Sequence, residues 1–200
     1  MNIERLVVGA FQTNCYILNI DDELLIIDPG SGFKKISEHI DAYNGKVVGI
    51  LLTHGHFDHI GAVDALVKKY GCPVFASKDD LKMMRNEEYN NLAGYSATVK
   101  CDINYLESEK LKIGKFDIRV LFTPGHSNGS VMFVIGHYLF SGDTLFHGGV
   151  GRTDLYSGSE YKLRQSLEVL DTLDDDMIVY PGHESSTTVG YELRYNPFLR

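Results

Sequence analysis

Short apolar runs separated by polar, glycine-bearing breaks fill the first part of the chain, a pattern typical of β-strands. Runs rich in branched and aromatic residues occupy positions 3–8, 16–20, 24–27 and 47–52. The last run is continuously apolar, which indicates a strand buried on both faces. Apolar positions with helical spacing follow at 33–43 and at 61–70, where Gly71 marks the expected helix end. Strands and helices therefore alternate in this half of the sequence.

The second half of the chain shows the same alternation. Apolar runs predict strands at 73–76, 116–122, 130–135, 138–141 and 177–180, and helical spacing predicts helices at 160–173 and 189–195. Between the halves, residues 77–109 are polar and rich in Asn, Glu and Lys, which fits either a helical insertion or a lid over a site. Because strands occur in both halves with helices between them, we expect two sheets packed face to face with helices outside.

Composition and charge describe an ordinary globular protein and exclude several classes of partner. The 200 residues suit a single domain over 1–200, with 44% hydrophobic and 23% charged residues. A net charge of −8 argues against a nucleic-acid binder and against attachment to an acidic membrane through a basic patch. Neither a secretory signal nor a run of membrane-spanning length is evident. The cysteines at positions 15, 72 and 101 are too scattered for a disulfide framework, so we expect a reducing, cytoplasmic location.

The densest chemistry in the sequence is a group of four potential metal ligands directly after the apolar run at 47–52. These are His54, His56, Asp58 and His59. Histidine and carboxylate side chains are standard ligands for zinc, iron and manganese. Because His54 and His56 are two residues apart, extended backbone places both rings on the same side of the chain. Asp58 and His59 follow where the chain turns, so the spacing indicates two adjacent metal positions.

Three further segments share one pattern, in which an apolar strand is followed by a glycine-bearing turn and then by a potential ligand. They end at His126, Asp143 and His183. A glycine beside the ligand allows close approach of the backbone, and a strand end is a rigid platform for a side chain that binds metal. Together with the first group, the sequence gives seven candidate ligands: His54, His56, Asp58, His59, His126, Asp143 and His183.

Three other residues with ligand chemistry stand apart from this pattern. His39 and His137 are isolated, and we expect them to be ordinary core or surface histidines. Asp28 lies in an Asp-Pro-Gly turn, where its carboxylate either orients the ring of a metal-bound histidine or organises the turn itself. The turn composition slightly favours the second interpretation.

The combined motifs resemble the metallo-β-lactamase superfamily of binuclear hydrolases over most of the chain. The stretches Thr-Pro-Gly-His-x-x-Gly-Ser at 123–130, Gly-Asp-Thr-Leu-Phe at 142–146 and Pro-Gly-His-Glu at 181–184 are most similar to glyoxalase II (hydroxyacylglutathione hydrolase). The resemblance implies an αββα sandwich, an α/β fold in which two mixed sheets carry helices on their outer faces. It also implies that the site lies along one edge of the two sheets.

The same resemblance assigns a role to each candidate ligand. It implies that the first metal is bound by His54, His56 and His126. It implies that the second metal is bound by Asp58, His59 and His183, and that Asp143 bridges the two metals. Zinc is the expected metal, with iron or manganese as alternatives. Two such ions share a water, and the resulting metal-bridging hydroxide attacks the substrate carbonyl. Asp58 mainly ligates and orients this hydroxide, and the bridging Asp143 is the second catalytic carboxylate.

The predicted substrate is a hydroxyacyl thioester of glutathione or of another low-molecular-weight thiol. In glyoxalase II a lysine and a tyrosine of a glycine-rich loop contact glutathione; here Arg152 falls on the lysine position and Asp154 replaces the tyrosine. Arg152 therefore either binds a substrate carboxylate or pairs with Asp154. The chain ends at Arg200 without the C-terminal helical domain of glyoxalase II, so it resembles the short, single-domain members.

Several other functions compete with this prediction. A persulfide dioxygenase with a single iron and a lactonase share much of the sequence pattern. β-Lactamase activity is not expected, because those enzymes typically replace the Asp58–His59 pattern or lack the bridging aspartate. A purely structural metal site is least favoured, since structural zinc is normally closed by four cysteine-rich ligands.

Overall fold

Strand side chains alternate between two apolar clusters in the computed structural model, which describes residues 1–199. Along the second strand, Cys15 and Ile17 pack into one cluster, whereas Tyr16 and Leu18 pack into another. Successive side chains of a strand point to opposite faces, so this period of two places a sheet between the two clusters. A third cluster covers the far side of a second sheet. Residues 1–199 therefore form four layers, with an apolar interface between each adjacent pair.

The strands are numbered along the chain. They are β1 (Asn2–Val8), β2 (Thr13–Ile20), β3 (Glu23–Ile27), β4 (Lys46–Leu51), β5 (Val74–Ala76), β6 (Asn91–Leu92), β7 (Tyr95–Ser96), β8 (Asn104–Tyr105), β9 (Lys110–Ile113), β10 (Phe116–Phe122), β11 (Val131–Ile135), β12 (Tyr138–Gly142), β13 (Leu145–Phe146), β14 (Gly149–Val150), β15 (Ile178–Pro181) and β16 (Thr187–Thr188).

Twelve of these strands form two six-stranded sheets, both of them mixed. The first sheet has the order β1-β2-β3-β4-β5-β8, antiparallel from β1 to β3 and parallel from β3 to β8. The second has the order β16-β15-β12-β11-β10-β9, antiparallel except for the parallel pair β12 and β15. The other four strands form two small hairpins, β6 with β7 and β13 with β14.

Helices cover the outer face of each sheet. Within residues 1–199 the α-helices are α1 (Phe33–Ala42), α2 (Phe57–Ile60), α3 (Val63–Tyr70), α4 (Leu81–Met84), α5 (Glu160–Leu167) and α6 (Val189–Tyr195), and 3-10 helices span Lys78–Asp80, Glu87–Tyr89 and Glu168–Thr172. Ile36 and Ile40 of α1 and Leu66 of α3 pack on the first sheet. Leu163 and Leu167 of α5 pack on the second. The αββα sandwich expected from the sequence is confirmed.

Some elements differ from those that the sequence predicts. The expected helix at 61–70 is shorter, because α3 begins only at Val63, and a separate helix that was not predicted, α2, precedes it. The expected helix at 160–173 continues beyond α5 only as a 3-10 helix that ends at Thr172. Seven short strands were not predicted: β6, β7, β8, β9, β13, β14 and β16. All but β9 have only two residues, which is too short for a periodic pattern to be recognised. The short strands β5 and β15 were recognised because each lies in a continuous apolar run.

The polar segment 77–109 folds into short elements that pack against the body of the protein. It contains two 3-10 helices, α4, the β6–β7 hairpin and β8. Met84 and Val99 are buried in the apolar cluster that lies between the first sheet and the helices that cover it. The N–H of Val99 donates to the carbonyl oxygen of Met84 (2.9 Å). The segment therefore has buried contacts of its own.

Strand direction brings the ligand-bearing loops to a common edge. In the second sheet β10, β12 and β15 run the same way, because β10 and β12 both pair antiparallel with β11 and β12 pairs parallel with β15. In the first sheet the parallel strands β3 and β4 likewise end together. The N–H of Val131 donates to the carbonyl oxygen of Thr53 (2.8 Å), which joins the two edges. The predicted ligands after β4, β10, β12 and β15 are thus neighbours in space.

Neither membrane-spanning helices nor disulfides are found within residues 1–199. No helix there combines the length and the apolar character that crossing a membrane requires. Cys15 and Cys72 are buried free thiols, and Cys101 is a partly exposed one.

Replacing Phe133 with alanine tests the core between the sheets. Phe133 on β11 is fully buried in that cluster, and Phe133→Ala should lower the free energy of unfolding by about 3–5 kcal/mol because it leaves a cavity. Phe122 on the neighbouring β10 is 46% exposed, so Phe122→Ala should change stability by about 0.5 kcal/mol or less. Urea denaturation of the two variants, prepared without metal, measures both changes in the free energy of unfolding. Equal losses of stability in the two variants would contradict the layered core.

Candidate metal centre

Three histidines contributed by both sheets form the first group of potential ligands. One ligand atom from each of His54, His56 and His126 lies within 4.8 Å of the others. His56 Nδ1 and His126 Nε2 are 2.8 Å apart. Within residues 1–199, His54 Nε2 and His56 Nε2 are buried and have no hydrogen-bond partner. Buried polar atoms without a partner cost free energy, so this group fits a bound cation.

A second group lies beside the first and is more open to solvent. One ligand atom from each of Asp58, His59 and His183 lies within 4.8 Å of the others. His183 Nε2 is 3.3 Å from Asp58 Oδ2 and 3.4 Å from His59 Nε2. His59 is fully buried, whereas the side chains of Asp58 and His183 are 14% and 23% exposed. The open side of the centre is therefore at this group.

Asp143 stands between the two groups. Its Oδ2 is 3.5 Å from His126 Nε2, in the first group, and 3.5 Å from His183 Nε2, in the second. Its Oδ1 lies 3.3 Å from His59 Nε2, yet it is buried and makes no hydrogen bond within residues 1–199. This is the placement that a carboxylate needs in order to bridge two ions. All seven predicted ligands are therefore brought together.

Hydrogen bonds at the opposite ring nitrogen orient several of these histidines. His126 Nδ1 faces the carbonyl oxygen of Arg152 (2.7 Å), and His183 Nδ1 faces that of Phe11 (3.1 Å). A carbonyl oxygen only accepts, so each Nδ1 must donate and each Nε2 is left as a free ligand atom. On the carboxylate side, Thr13 Oγ1 donates to Asp58 Oδ2 (2.9 Å). None of these partners carries a local signal in the sequence.

The contacts of the Asp28 carboxylate show that the expectation of a mainly turn-organising role was wrong. Its Oδ1 accepts the N–H of Thr53 (2.8 Å), and its Oδ2 accepts Thr53 Oγ1 (2.6 Å) and lies 3.0 Å from His59 Nδ1. Because Thr53 Oγ1 donates to Asp28, its oxygen is left to accept from His54 Nδ1 (3.0 Å). Asp28 thus orients His59 directly and His54 through Thr53, which is the interpretation that the turn composition disfavoured. These mutual bonds also account for the proximity of Asp28, His54 and His59 ligand atoms.

Glycines allow the ligand-bearing loops to approach one another. A Cβ on Gly182, next to His183, would lie 2.2 Å from Asp143 Oδ1 and 2.7 Å from His59 Cε1. Gly142, next to Asp143, has a positive φ of 50°, and a Cβ there would lie 2.4 Å from Thr53 Oγ1. Any larger residue at Gly182 would displace Asp143 and His59, and at Gly142 it would displace Thr53, which contacts His54. The glycine in the predicted strand–turn–ligand pattern therefore has a steric cause.

Protonated imidazoles supply part of the positive charge at the second group when no metal is bound. Burial lowers the pKa of His59, but Asp143, Asp58 and Asp28 outweigh it and hold this pKa well above its ordinary value. For His183, too, burial lowers the pKa, but the carboxylates of Asp143 and Asp58 outweigh burial and raise this pKa to about 9. Burial favours the neutral form of Asp58, yet His59 and His183 lower its pKa to about 2. The carboxylates are therefore ionised and require a positive neighbour.

The histidines of the first group behave in the opposite way. Burial, aided by neighbouring imidazoles, lowers the pKa of His54 well below its ordinary value and that of His56 to about 3. Neutral imidazole is the form that binds a metal. These two side chains are thus ready to bind a cation at neutral pH, whereas His59 and His183 must first lose protons.

A cavity of about 740 Å³ opens onto the centre. Its wall includes His183, the aromatic rings of Phe11 and Phe146, and two cationic side chains, Arg5 and Arg152. This volume is in the range of pockets that bind small organic molecules. The cavity therefore offers an apolar wall and positive charge beside the ligand groups.

Arg152, the predicted substrate contact, is already paired in this structure. Its Nε and Nη2 donate to the two carboxylate oxygens of Asp154, each at 2.7 Å, and this pairing lowers the pKa of Asp154 to about 2. One of the two alternatives that the sequence left open is therefore observed. Contact of Arg152 with a substrate stays a prediction.

The two isolated histidines have ordinary partners. His39 Nδ1 lies 2.6 Å from Glu4 Oε1, and His137 Nε2 lies 2.8 Å from the carbonyl oxygen of Asp176. Neither belongs to a group of ligand atoms, in agreement with the expectation for both.

Metal binding at the second group should depend on pH in a defined direction. His183, with a pKa raised to about 9, is protonated near neutral pH and must lose that proton to bind a metal. We therefore expect the affinity of the second group for chelator-buffered Zn²⁺ to rise from about pH 7 through about pH 9, because both His59 and His183 lose protons on binding. His126→Ala removes a ligand of the first group only and isolates this step for calorimetry.

The matched variant His183→Ala isolates the first group. His54 and His56 are neutral there at pH 7 and above, so its affinity should change much less over the same range. Calorimetry in two buffers of different ionisation enthalpy counts the protons released. Equal pH dependence at the two groups, or binding at the second group without proton release, would contradict these charge states.

Comparisons with known proteins point to one family. The sequence model of the metallo-beta-lactamase superfamily matches residues 8–183, which include every candidate ligand. Hydroxyacylglutathione hydrolase GloC of Haemophilus influenzae is 36% identical over 208 residues, covering 100% of this chain and 98% of that protein.

Two solved structures share the whole architecture. The crystal structure of BLEG-1, named a B3 metallo-beta-lactamase, superposes with a TM-score of 0.94 at 38% identity and covers 99% of both chains. The structure of TTHA1623 in a di-iron-bound form gives a TM-score of 0.91 at 36% identity, covering 98% of this chain and 100% of that one. Similarity of this extent shows that the chain belongs to the metallo-beta-lactamase superfamily of metal-dependent hydrolases.

Proposed function

We propose that this protein uses two divalent metal ions to hydrolyse a thioester that joins a hydroxyacyl group to glutathione or to another small thiol. The observation that carries the proposal is the position of Asp143 between two ligand groups that open into one cavity. When bound, a pair of divalent ions lowers the pKa of a water molecule and polarises a carbonyl group, which is the chemistry that acyl hydrolysis requires. The name and similarity of GloC support a thioester as the bond that is cleaved.

The residues of the chain divide the remaining work. The first ion would be held by His54, His56 and His126, the second by Asp58, His59 and His183, and both by Asp143. Asp58 has a second role, because it is ionised and stands at the open side of the centre. With its carboxylate fixed by Thr13, Asp58 is placed to accept a hydrogen bond from a water and orient it.

Zinc is the metal that we propose, with iron as the first alternative. Histidine and carboxylate ligands accept zinc, iron and manganese, so the donor set alone does not select among them. The di-iron form of TTHA1623 supports iron as an occupant. Metal analysis of the purified protein therefore belongs in any test of activity.

One observation favours a second candidate function, β-lactam hydrolysis. BLEG-1 is 38% identical over nearly the whole chain and is named a B3 metallo-beta-lactamase. A thioester and a β-lactam are both acyl compounds that a hydrolytic two-metal centre can attack. A thiolate, however, leaves more readily than an amide nitrogen, so a thioester needs less help from a general acid. The thioester therefore stays the first choice.

A substrate panel tests the proposal on protein of known metal content. We expect at least one lactoyl thioester of a small thiol to be hydrolysed with kcat/KM of about 10⁴ M⁻¹ s⁻¹ or higher, well above the values for a homoserine lactone and a cephalosporin. Chelation should abolish the activity, and Zn²⁺ or Fe²⁺ should restore it. Asp143→Asn should lower kcat/KM by about 100-fold or more, whereas Asp117→Asn, on the exposed surface of β10, should leave it unchanged.

Other outcomes of the same panel would overturn the proposal. Faster turnover of the cephalosporin would assign the centre to β-lactams, and faster turnover of the lactone would make the protein a lactonase. Oxygen uptake with glutathione persulfide, at a rate matching thioester hydrolysis, would favour the dioxygenase.

The cavity wall supports recognition of an anionic group on the substrate. Arg5 Nη1 donates to the carbonyl oxygen of Glu184 (2.8 Å), the residue after His183, so the guanidinium lies near the centre. Arg152 uses its Nε–Nη2 edge on Asp154, whereas within residues 1–199 no carboxylate lies at ion-pair distance from Arg5. We therefore assign the main anion contact to Arg5 and a smaller one to Arg152.

Thioesters of mercapto acids of increasing length, each compared with its neutral amide, test this assignment. Arg5→Gln should lower kcat/KM for the best acid carrier by about 10-fold, the usual loss for one hydrogen bond to a charged group, and change the amide values little. Arg152→Gln should have a smaller effect because Asp154 already occupies it. Arg119→Gln, an exposed arginine in the middle of β10, is the matched control. Equal losses for acids and amides would remove Arg5 from substrate recognition.

A further inference from the structure

Asp80 is a buried carboxylate that the proposed reaction leaves unused. It is 2% exposed and belongs to none of the groups of ligand atoms. Its Oδ2 accepts hydrogen bonds from the N–H of Gly55 (2.9 Å) and from Ser127 Oγ (2.6 Å), and its Oδ1 accepts one from the N–H of Gly129 (2.8 Å). A carboxylate is buried at high cost unless hydrogen bonds satisfy it, so these three donors explain how Asp80 is tolerated.

The three donors come from the two loops that carry the first ligand group. Gly55 lies between His54 and His56, and Ser127 directly follows His126. One carboxylate therefore connects two loops that are about 70 residues apart in the chain. The connection runs through backbone and a serine hydroxyl, and the imidazole nitrogens stay available for a metal.

Asn90 completes the attachment of the first loop. It is 1% exposed; its Nδ2 donates to the carbonyl oxygen of Gly55 (2.8 Å), and its Oδ1 accepts the N–H of Phe57 (2.7 Å). The N–H of Gly55 is bound to Asp80 and its carbonyl to Asn90. Both polar backbone groups of the residue between two ligand histidines are thus fixed by side chains of the 77–109 segment.

The same segment packs closely against both loops. A Cβ on Gly55 would lie 2.6 Å from Met84 Cγ and 3.0 Å from Asp80 Cβ, and a Cβ on Gly129 would lie 2.6 Å from Asp80 Cγ. Only glycine permits these approaches. The loops are therefore held by steric contact as well as by hydrogen bonds.

The second ligand group is held by other parts of the chain. Thr13 bonds to Asp58, the carbonyl oxygen of Phe11 faces His183, and Asp28 faces His59. The side chains of Asp80 and Asn90 make none of these bonds. A change at Asp80 or Asn90 should therefore act mainly on the first group.

We propose that Asp80 and Asn90 are positioning residues that hold the first ligand group in its metal-binding geometry, and that the 77–109 segment serves as its support. The inference rests on the two-metal site of the proposed function and is independent of the substrate. Residues that orient metal ligands typically change metal affinity by about 10–100-fold when they are replaced.

Metal affinity measured separately at each group tests this inference. In the His183→Ala background, which leaves the first group intact, Asp80→Asn and Asn90→Ala should each weaken Co²⁺ binding by about 10–100-fold. In the His126→Ala background, in which only the second group is complete, the same changes should weaken Co²⁺ binding by about 3-fold or less. The absorption bands of Co²⁺ report occupancy and ligand geometry without any substrate.

The chain offers closely matched controls. Asp79 is the exposed neighbour of Asp80, and its backbone N–H bonds to Ser77 Oγ (3.2 Å). Asn91 is the exposed neighbour of Asn90. Asp79→Asn and Asn91→Ala should leave Co²⁺ affinity unchanged at both groups. Ser127→Ala removes one donor to Asp80 and should give an intermediate loss at the first group, which keeps the test available if Asp80→Asn does not fold.

Each outcome decides between positioning and general stability. Loss confined to the first group, with an altered Co²⁺ spectrum there, supports the proposal. Equal weakening of both groups, together with a lower Tm of the metal-free protein, would reduce Asp80 and Asn90 to structural residues and overturn it, as would unchanged affinity at both. A wild-type chain that binds no second equivalent of Co²⁺ would instead refute the two-metal site on which the proposed function depends.

Discussion

The structure depends on one electrostatic constraint, the burial of two ionised carboxylates among five imidazoles at the edge of two sheets. Asp58 and Asp143 keep low pKa values even though burial favours their neutral forms. Such a group is tolerated only with compensating positive charge. In the metal-free protein, protonated His59 and His183 provide part of it. Divalent ions would satisfy the same requirement more fully, so the buried negative charge favours metal binding.

The hydrogen-bond network explains how so many predicted ligand side chains lie close together in defined orientations. Asp28 orients His59 directly and His54 through Thr53, and backbone carbonyls orient His126 and His183. Each bond at Nδ1 leaves Nε2 directed at the centre. The rigidity of the ligands thus comes from strand ends and from groups that never bind the metal. This is why the centre can be preorganised before an ion arrives.

Sequence could predict the parts of the molecule whose signal is local. The period-two alternation in β2 and the strand, glycine and ligand pattern before His126, Asp143 and His183 are readable within a few residues. The helix α2 was missed because half of its four residues are candidate ligands, which hides an amphipathic pattern. Asp80 and Asn90 were also missed, since their partners in the ligand-bearing loops lie 25 to 49 residues away. Contacts of that range follow from packing, which a pattern in one segment does not encode.

The residues predicted to bind metal have local sequence signals, whereas the residues that line the cavity and could recognise a substrate are distant from one another in the sequence. The predicted metal ligands lie in short motifs that a whole superfamily can share, and relatives at 36% and 38% identity carry different names, a hydroxyacylglutathione hydrolase and a B3 metallo-beta-lactamase. Overall identity therefore does not select the substrate. Much of the cavity wall lies outside these motifs, and in that wall Arg5 bonds to Glu184 across 179 residues of sequence. One fold can support several reactions because the chemistry and the specificity are set by the site and not by the fold.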